Sequence, residues 1–336
     1  MASVGENIPG CDGTGTSGDP YKYKNATGFK NAIAVTNAYV EANEENMVFD
    51  VNDGILSATC NLYCKSLNGK GTTIRNLYAN ATDSILIAPK AHNFTYNNIN
   101  FYNMLIIINT GGGSSASFCK PNQSSGGNGG VWTNCNFTGI IKGTLNAGYY
   151  GAFSGYLGGG IYGKNQFKNC TFNINFNLKK TTNNNFWVFY SNSDYDDFLL
   201  DNCTINISGN ISATSNDIDL YIVESHNTVK NCTFMNKQSN PLTVGTAKIN
   251  VRIDPNSGSG YNYFKAYVTH NTPSSNSGCI FGSGASGTLV NTSRITGFTT
   301  GSGGIRMQET NTSADTYIYN AENLAAKNFP VGTTVE

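Results

Sequence analysis

The acids available in the middle of this chain are Asp194, Asp196, Asp197 and Asp201, followed by Asp217, Asp219 and Glu224. Glycoside hydrolysis needs two carboxyl groups about 5–10 Å apart, one of them with a raised pKa. If the two segments occupy neighbouring turns of a layered fold, Asp194, Asp196, Asp197, Asp201 and Glu224 can face one another, and a polysaccharide-cleaving pair is one reading of them. The surroundings argue against it. Asp196-Asp197 stands alone, and His226 sits in Glu-Ser-His-Asn rather than between glycines. Arg252 and Asp254 are the one close pair that suits a lyase, and a structural ion pair explains them better. Cys60 and Cys64 are four apart, with His92 the nearest imidazole, but no Cys-x-x-Cys occurs, so buried thiols are expected and no metal or cofactor. The Gly-rich runs lack the Lys-Ser/Thr of a phosphate loop. The balance leans away from catalysis.

A second group of residues suits contact rather than bond-breaking. Tyr149, Tyr150, Tyr156 and Tyr162 lie in a Gly-rich run, and Trp187, Tyr190 and Tyr195 in the next excursion. Tyr and Trp joined to Asn and Gly make adaptable surfaces for protein or glycan. The plainer alternative has these loops lying back over the fold and burying its sheets.

What must hold such residues is an all-β scaffold. Only 12% of the 336 residues are charged, and 38 Gly against 8 Pro make the turns Gly- and Asn-driven. Asn, Ser, Thr and Gly are poor helix-interior residues, whereas Thr, Tyr, Phe, Ile and Val suit strands. Lys+Arg and Asp+Glu balance at 21 each, with four Arg, so no basic footprint for nucleic acid exists. The run from Met104 is far too short to cross a bilayer, and Met1 is not followed by a basic and apolar leader, so neither a membrane span nor secretion by a leader is expected.

The arrangement comes from a phrase that returns four times: Trp-Thr-Asn-Cys-Asn-Phe, Phe-Lys-Asn-Cys-Thr-Phe, Leu-Asp-Asn-Cys-Thr-Ile and Val-Lys-Asn-Cys-Thr-Phe. Aligned on its Asn, it extends to Asn76, Asn98, Asn134, Asn169, Asn202, Asn231, Ala266, Asn291 and Asn320, at spacings between 22 (Asn76 to Asn98) and 36 (Asn98 to Asn134). That is an irregular solenoid period with loops of variable length. Two places before the Asn stand Ile74, Tyr96, Trp132, Phe167, Leu200, Val229, Phe264, Leu289 and Ile318. One place after it come Cys135, Cys170, Cys203 and Cys232, and three after it Phe101, Phe137, Phe172, Ile205 and Phe234. Interior residues of one strand must be an even number apart, and the first two columns are three apart. The chain therefore bends at the Asn, the non-Gly residue that best tolerates left-handed φ/ψ. The Cys is a small filler behind the corner, and stacked Asn134, Asn169, Asn202 and Asn231 form a ladder beside Cys135, Cys170, Cys203 and Cys232. Lys168, Asp201 and Lys230, one before the Asn, alternate in sign as exposed parallel strands prefer.

One such corner per turn, with like positions stacked along an axis, is a parallel β-helix of about nine or ten coils, roughly 45 Å long at about 4.8 Å per coil. Residues 1–45 then form an N-terminal segment whose helix, with Phe29, Ile33, Thr36 and Val40 on one stripe, caps the first coil; 46–325 form the β-helix and 326–336 a tail.

At these columns the chain resembles the right-handed single-stranded parallel β-helix proteins of the pectate-lyase-like superfold, with their Asn ladders, aromatic and aliphatic stacks and capping helix. The resemblance spans roughly residues 25–325 and speaks to fold, because the superfold hosts lyases, hydrolases, adhesins and phage spikes. The polygalacturonase motifs are not met. The opening Gly-Thr-Ser-Gly-Asp-Pro-Tyr segment is similar to the start of β-helix domains in phage structural and bacterial surface proteins. With the stacked-coil pattern, the missing leader, the few and balanced charges and the poverty of catalytic constellations, the expectation leans to a non-enzymatic bacteriophage virion protein: a capsid decoration, tail fibre or spike subunit on the particle surface, assembled in the host cytoplasm. Its implied partners are other virion proteins, further copies of itself as a homotrimer, and a host cell-surface glycan. The alternatives are a tailspike-type depolymerase using the acids above, and a secreted or cell-surface bacterial adhesin.

Overall fold

The structure, a computed structural model, describes residues 2–54, 56, 59–80, 85–108, 117–120, 129–145, 151–154, 165–180, 186–190, 198–213, 218–223, 228–230, 233–236, 249–253, 279–282, 305–308 and 316–319. Strands dominate these residues and form a 15-stranded and a 10-stranded sheet, accompanied by one α-helix, Ala26–Ile33.

One layer shows the plan. Val131–Thr133 runs into a corner at Asn134 and Cys135, and Asn136–Leu145 continues in the same sheet. Gly151–Ser154 belongs to the other sheet, and Asn165–Lys168 returns to pair in parallel with Val131–Thr133. A hairpin cannot join parallel neighbours; the passage through the second sheet supplies the crossover. The same order repeats with Thr171–Lys180, Phe186–Tyr190 and Phe198–Asp201.

Register then stacks like on like. Tyr96, Trp132, Phe167, Leu200 and Val229 form one column. Phe101, Phe137, Phe172, Ile205 and Phe234 form the next. From Tyr96 to Leu200 and from Phe101 to Ile205 these side chains are at most 2% exposed. Parallel stacking puts aromatic rings of successive layers face to face: Trp132 and Phe167 at 6.2 Å and 9°, Phe137 and Phe172 at 5.1 Å and 6°. Phe153 and Phe189 from the second sheet meet Phe172 edge-on at 5.0 and 4.9 Å. Gly139 makes room in that wall, since a Cβ there would lie 2.7 Å from the Phe118 ring. The fold is all-β, built on long parallel sheets, and compatible with a β-helix.

Several expectations need correction. Ile74 does not stand in the Tyr96 column but opposite Phe101, and Leu67 takes the place beside Tyr96. In that layer the corner is made by Lys70 and Gly71, at φ +46° and +86°, with a register shift between Asn68 and Thr72. Asn76 belongs to a second corner, shared with Asn103, whose amide donates to Asn76 Oδ1 at 2.6 Å. The helix stops at Ile33: Phe29 and Ile33 are buried as expected, but Thr36 is exposed beyond the helix and Val40 lies in the strand Tyr39–Ala42. Ile318 lies in the 10-stranded sheet, where Thr316–Tyr319 pairs antiparallel with Ile305–Gln308. Ala266, Phe264, Asn291 and Leu289 lie outside the described residues.

Candidate functional site

The corner is the most regular polar feature of the surface. Asn98, Asn134, Asn169 and Asn202 hold φ of +53°, +53°, +54° and +53°, the left-handed region that costs an L-residue with a Cβ about 1–2 kcal/mol and costs Asn least. Asn134, Asn169 and Asn202 are exposed. Their peptide N–H groups still find partners one layer on: Asn134 donates to the Lys168 carbonyl and Asn169 to that of Asp201, both at 2.9 Å. The Asn202 side-chain amide donates to Asn169 Oδ1 at 2.7 Å.

Behind the corner the thiols are at most 1% exposed. Cys135, Cys170 and Cys203 reach back to the carbonyls of Tyr96, Trp132 and Phe167 in the preceding layer at 3.8, 3.6 and 3.3 Å. Each is also near the carbonyl two residues before it in its own layer. A small, apolar side chain with a weak S–H donor fits this position, because it fills the bend and serves a carbonyl without demanding full solvation. Burial, with the neighbouring Cys135 thiol, holds Cys170 well above its usual pKa. Cys11, Cys60, Cys64, Cys119, Cys135, Cys170 and Cys203 form no disulfide. Asn231 and Cys232 lie outside them.

Of the acids, Asp219 lies in the strand Ile218–Val223, in register with Asn250, and Asp217 lies outside the described residues; the acid whose side chain is described is Asp201. It is half-buried on the outward column Thr133, Lys168, Asp201, Lys230, so its neighbours in register are two lysines and not a second carboxylate. Asp194, Asp196, Asp197 and Glu224 lie outside the described residues, as do Tyr149, Tyr150, Tyr156, Tyr162 and Tyr195. Trp187 and Tyr190 are placed differently from the expectation: they belong to the strand Phe186–Tyr190, paired with Gly151–Ser154, instead of a loop. Ala152 and Phe153 on one strand and Val188 and Phe189 on the other are buried. The Gly- and Asn-rich flanks concealed these two strands.

Two further features escaped the sequence reading. The outward face of the larger sheet carries amide ladders: Asn136 donates to Asn100 Oδ1 at 2.6 Å, and Asn206 to Asn173 Oδ1 at 2.6 Å, while Asn173 reaches Thr138 at 3.3 Å. The alternation Thr-Phe-Asn-Ile-Asn-Phe-Asn from Thr171 was the available signal. Beside this ladder a shallow depression of about 400 Å³ opens against Lys142, Thr144, Asn177 and Lys179. A smaller cavity of about 200 Å³ lies under the helix, against Lys30, Ile33, Leu56, Cys60 and Leu77. Burial pushes the Cys60 thiol up to about 12, so it stays protonated at neutral pH and is a poor nucleophile. Among the described residues no three His, Cys, Asp or Glu side chains group to hold a metal ion, and no helix is long and apolar enough to cross a membrane.

Compared with protein-family models, curated proteins and solved structures, the chain matches none of them.

Proposed function

We propose that the chain is a right-handed parallel β-helix serving as a non-enzymatic bacteriophage virion protein: a capsid decoration, tail fibre or spike subunit that displays a polar surface to host glycans. The observation that supports this most is the unbroken parallel register of Tyr96, Trp132, Phe167 and Leu200, which makes a rigid stack whose outer edge is a row of neutral amides. Such a stack holds loops at fixed spacing, and the aromatic- and Gly-rich segments after Leu145 and Lys180 leave from neighbouring strand ends. Copies associate as a homotrimer, and the other partners are virion proteins.

Labelling of assembled particles with an antibody to this chain tests the assignment. Label on the particle surface supports it, and label absent from purified particles overturns it. A reducing-end assay on host capsular polysaccharide addresses the depolymerase: steady product formation, lost in Asp196→Asn with Asp197→Asn, would replace the binding role with a catalytic one.

A further inference from the structure

We infer that the depression beside the amide ladder is a subsite for an acidic saccharide, taking the carboxylate of a uronate- or sialate-type sugar between Lys142 and Lys179. The inference rests on the proposed glycan-binding role and specifies its chemistry. Three successive layers build the depression, from the strands Thr95–Ile108, Asn136–Leu145 and Thr171–Lys180. Register places Ile107, Lys142 and Asn177 in one column and Thr144 and Lys179 in the next. Alternate residues of a strand share a face, so Lys142, Thr144, Asn177 and Lys179 form a four-cornered patch with the lysines on one diagonal. Diagonal neighbours on a sheet lie about 7–8 Å apart, within reach of two lysine side chains converging on one anion.

The composition of the patch argues for a sugar acid over a bare anion. Lys142, Asn177 and Lys179 are exposed, and among the described residues no carboxylate lines the depression. Neither lysine makes an ion pair among the described residues. The two ammonium groups supply charge, while the Asn177 amide and Thr144 hydroxyl offer the paired donors and acceptors that vicinal hydroxyls require. Ile107 at one side offers an apolar surface to a ring face. The volume of about 400 Å³ falls within the about 300–1,000 Å³ typical of ligand clefts. Gly143 lets the two strands meet between these lysines: its φ is +126°, and a Cβ there would lie 2.1 Å from the Ile108 carbonyl oxygen, so the position requires glycine.

The test is titration of the full chain, by calorimetry, with a uronate oligosaccharide, a sialylated oligosaccharide, a neutral glucan, a phosphorylated oligosaccharide, inorganic phosphate and a poly-glutamate peptide. Binding of a carboxylated saccharide at least about tenfold tighter than the glucan, weakened by added salt, is expected. Lys142→Gln with Lys179→Gln should reduce that binding about tenfold or more at an unchanged melting temperature, because two exposed side chains are altered. Lys22→Gln, far along the chain in another strand, should leave it unchanged. Glucan binding as tight as that of the acids, and indifferent to the double substitution, overturns the subsite while the glycan role stands. Failure of every saccharide overturns both. Equal binding of phosphate, the phosphorylated sugar or poly-glutamate shows a plain charge sink and overturns the saccharide assignment.

Discussion

At Asn169 three demands meet: a left-handed φ of +54°, a peptide N–H given to the Asp201 carbonyl, and a side-chain oxygen receiving the Asn202 amide at 2.7 Å. Gly meets the first two and Ala only the second. Asn169→Ala should therefore destabilise by about 1–2 kcal/mol from backbone strain, with Asn169→Gly closer to the parent. Urea unfolding followed by circular dichroism reads the order, and Ala equal to Gly would remove the corner from the account. The Cys170 thiol is held protonated by burial, so alkylation at pH 8 should leave it untouched in the folded chain and consume it on denaturation. Mass spectrometry of the peptide decides this. Asp50 carries a third prediction. Its carboxylate accepts the Asn76 amide at 2.7 Å and the Asn52 N–H at 2.9 Å, with Arg75 Nε at 3.0 Å, and the Asn76 bond foremost holds its pKa below the usual carboxylate range. A depressed pKa means that the contribution is present above the unfolded value and fades as pH falls through the folded one, on the acid side of about pH 4. Asn76→Ala should raise the Asp50 midpoint toward the ordinary range, as a carbon-13 NMR titration of its carboxyl would show.

Elements are held by rings stacked through register, so the worst damage should come where several layers lean on one ring. Trp132 touches Phe94, Tyr96, Phe101, Phe137 and Phe167 at centroid distances of 4.9–6.2 Å. Trp132→Ala should cost about 3–5 kcal/mol, measured as the shift in the urea midpoint, and a loss below about 1 kcal/mol would contradict the packing. The sequence made this element legible because a bend at Asn134 follows from parity alone: Trp132 and Cys135 are three apart and both must be inside. Parity was silent at Lys70 and Gly71, where glycine takes the left-handed conformation without any Asn to mark it. It was silent again at Gly151–Ser154 and Phe186–Tyr190, where consecutive residues are buried and no alternation shows. The lysine depression was beyond sequence reading for a different reason. Lys142 and Lys179 are separated by a whole layer, and only the residue-by-residue register from Asn136 to Leu145 sets them on one patch.

Along the whole molecule each layer contacts chiefly its neighbours, so stability should behave as a sum of layer and interface terms, and a layer should be removable if register survives. Asn134 and Asn169 are equivalent corners, and Thr133 pairs with Lys168. Excising residues 134–168 joins Thr133 to Asn169 and leaves the new corner flanked as the old one was, with Trp132 two places before it. Excising residues 134–167 leaves one residue too many: Thr133 now stands two places before the corner, and Trp132 moves to the outward face. A single-residue slip in a strand exchanges its buried and exposed sides, so the first variant should keep strand-type circular dichroism and cooperative unfolding while the second loses several kcal/mol, of the order of a buried Trp exposed. The pair shares all but one residue, so any general intolerance of deletion acts on both equally. Equal behaviour of the two variants would mean that the parity of the corner does not govern how the layers stack.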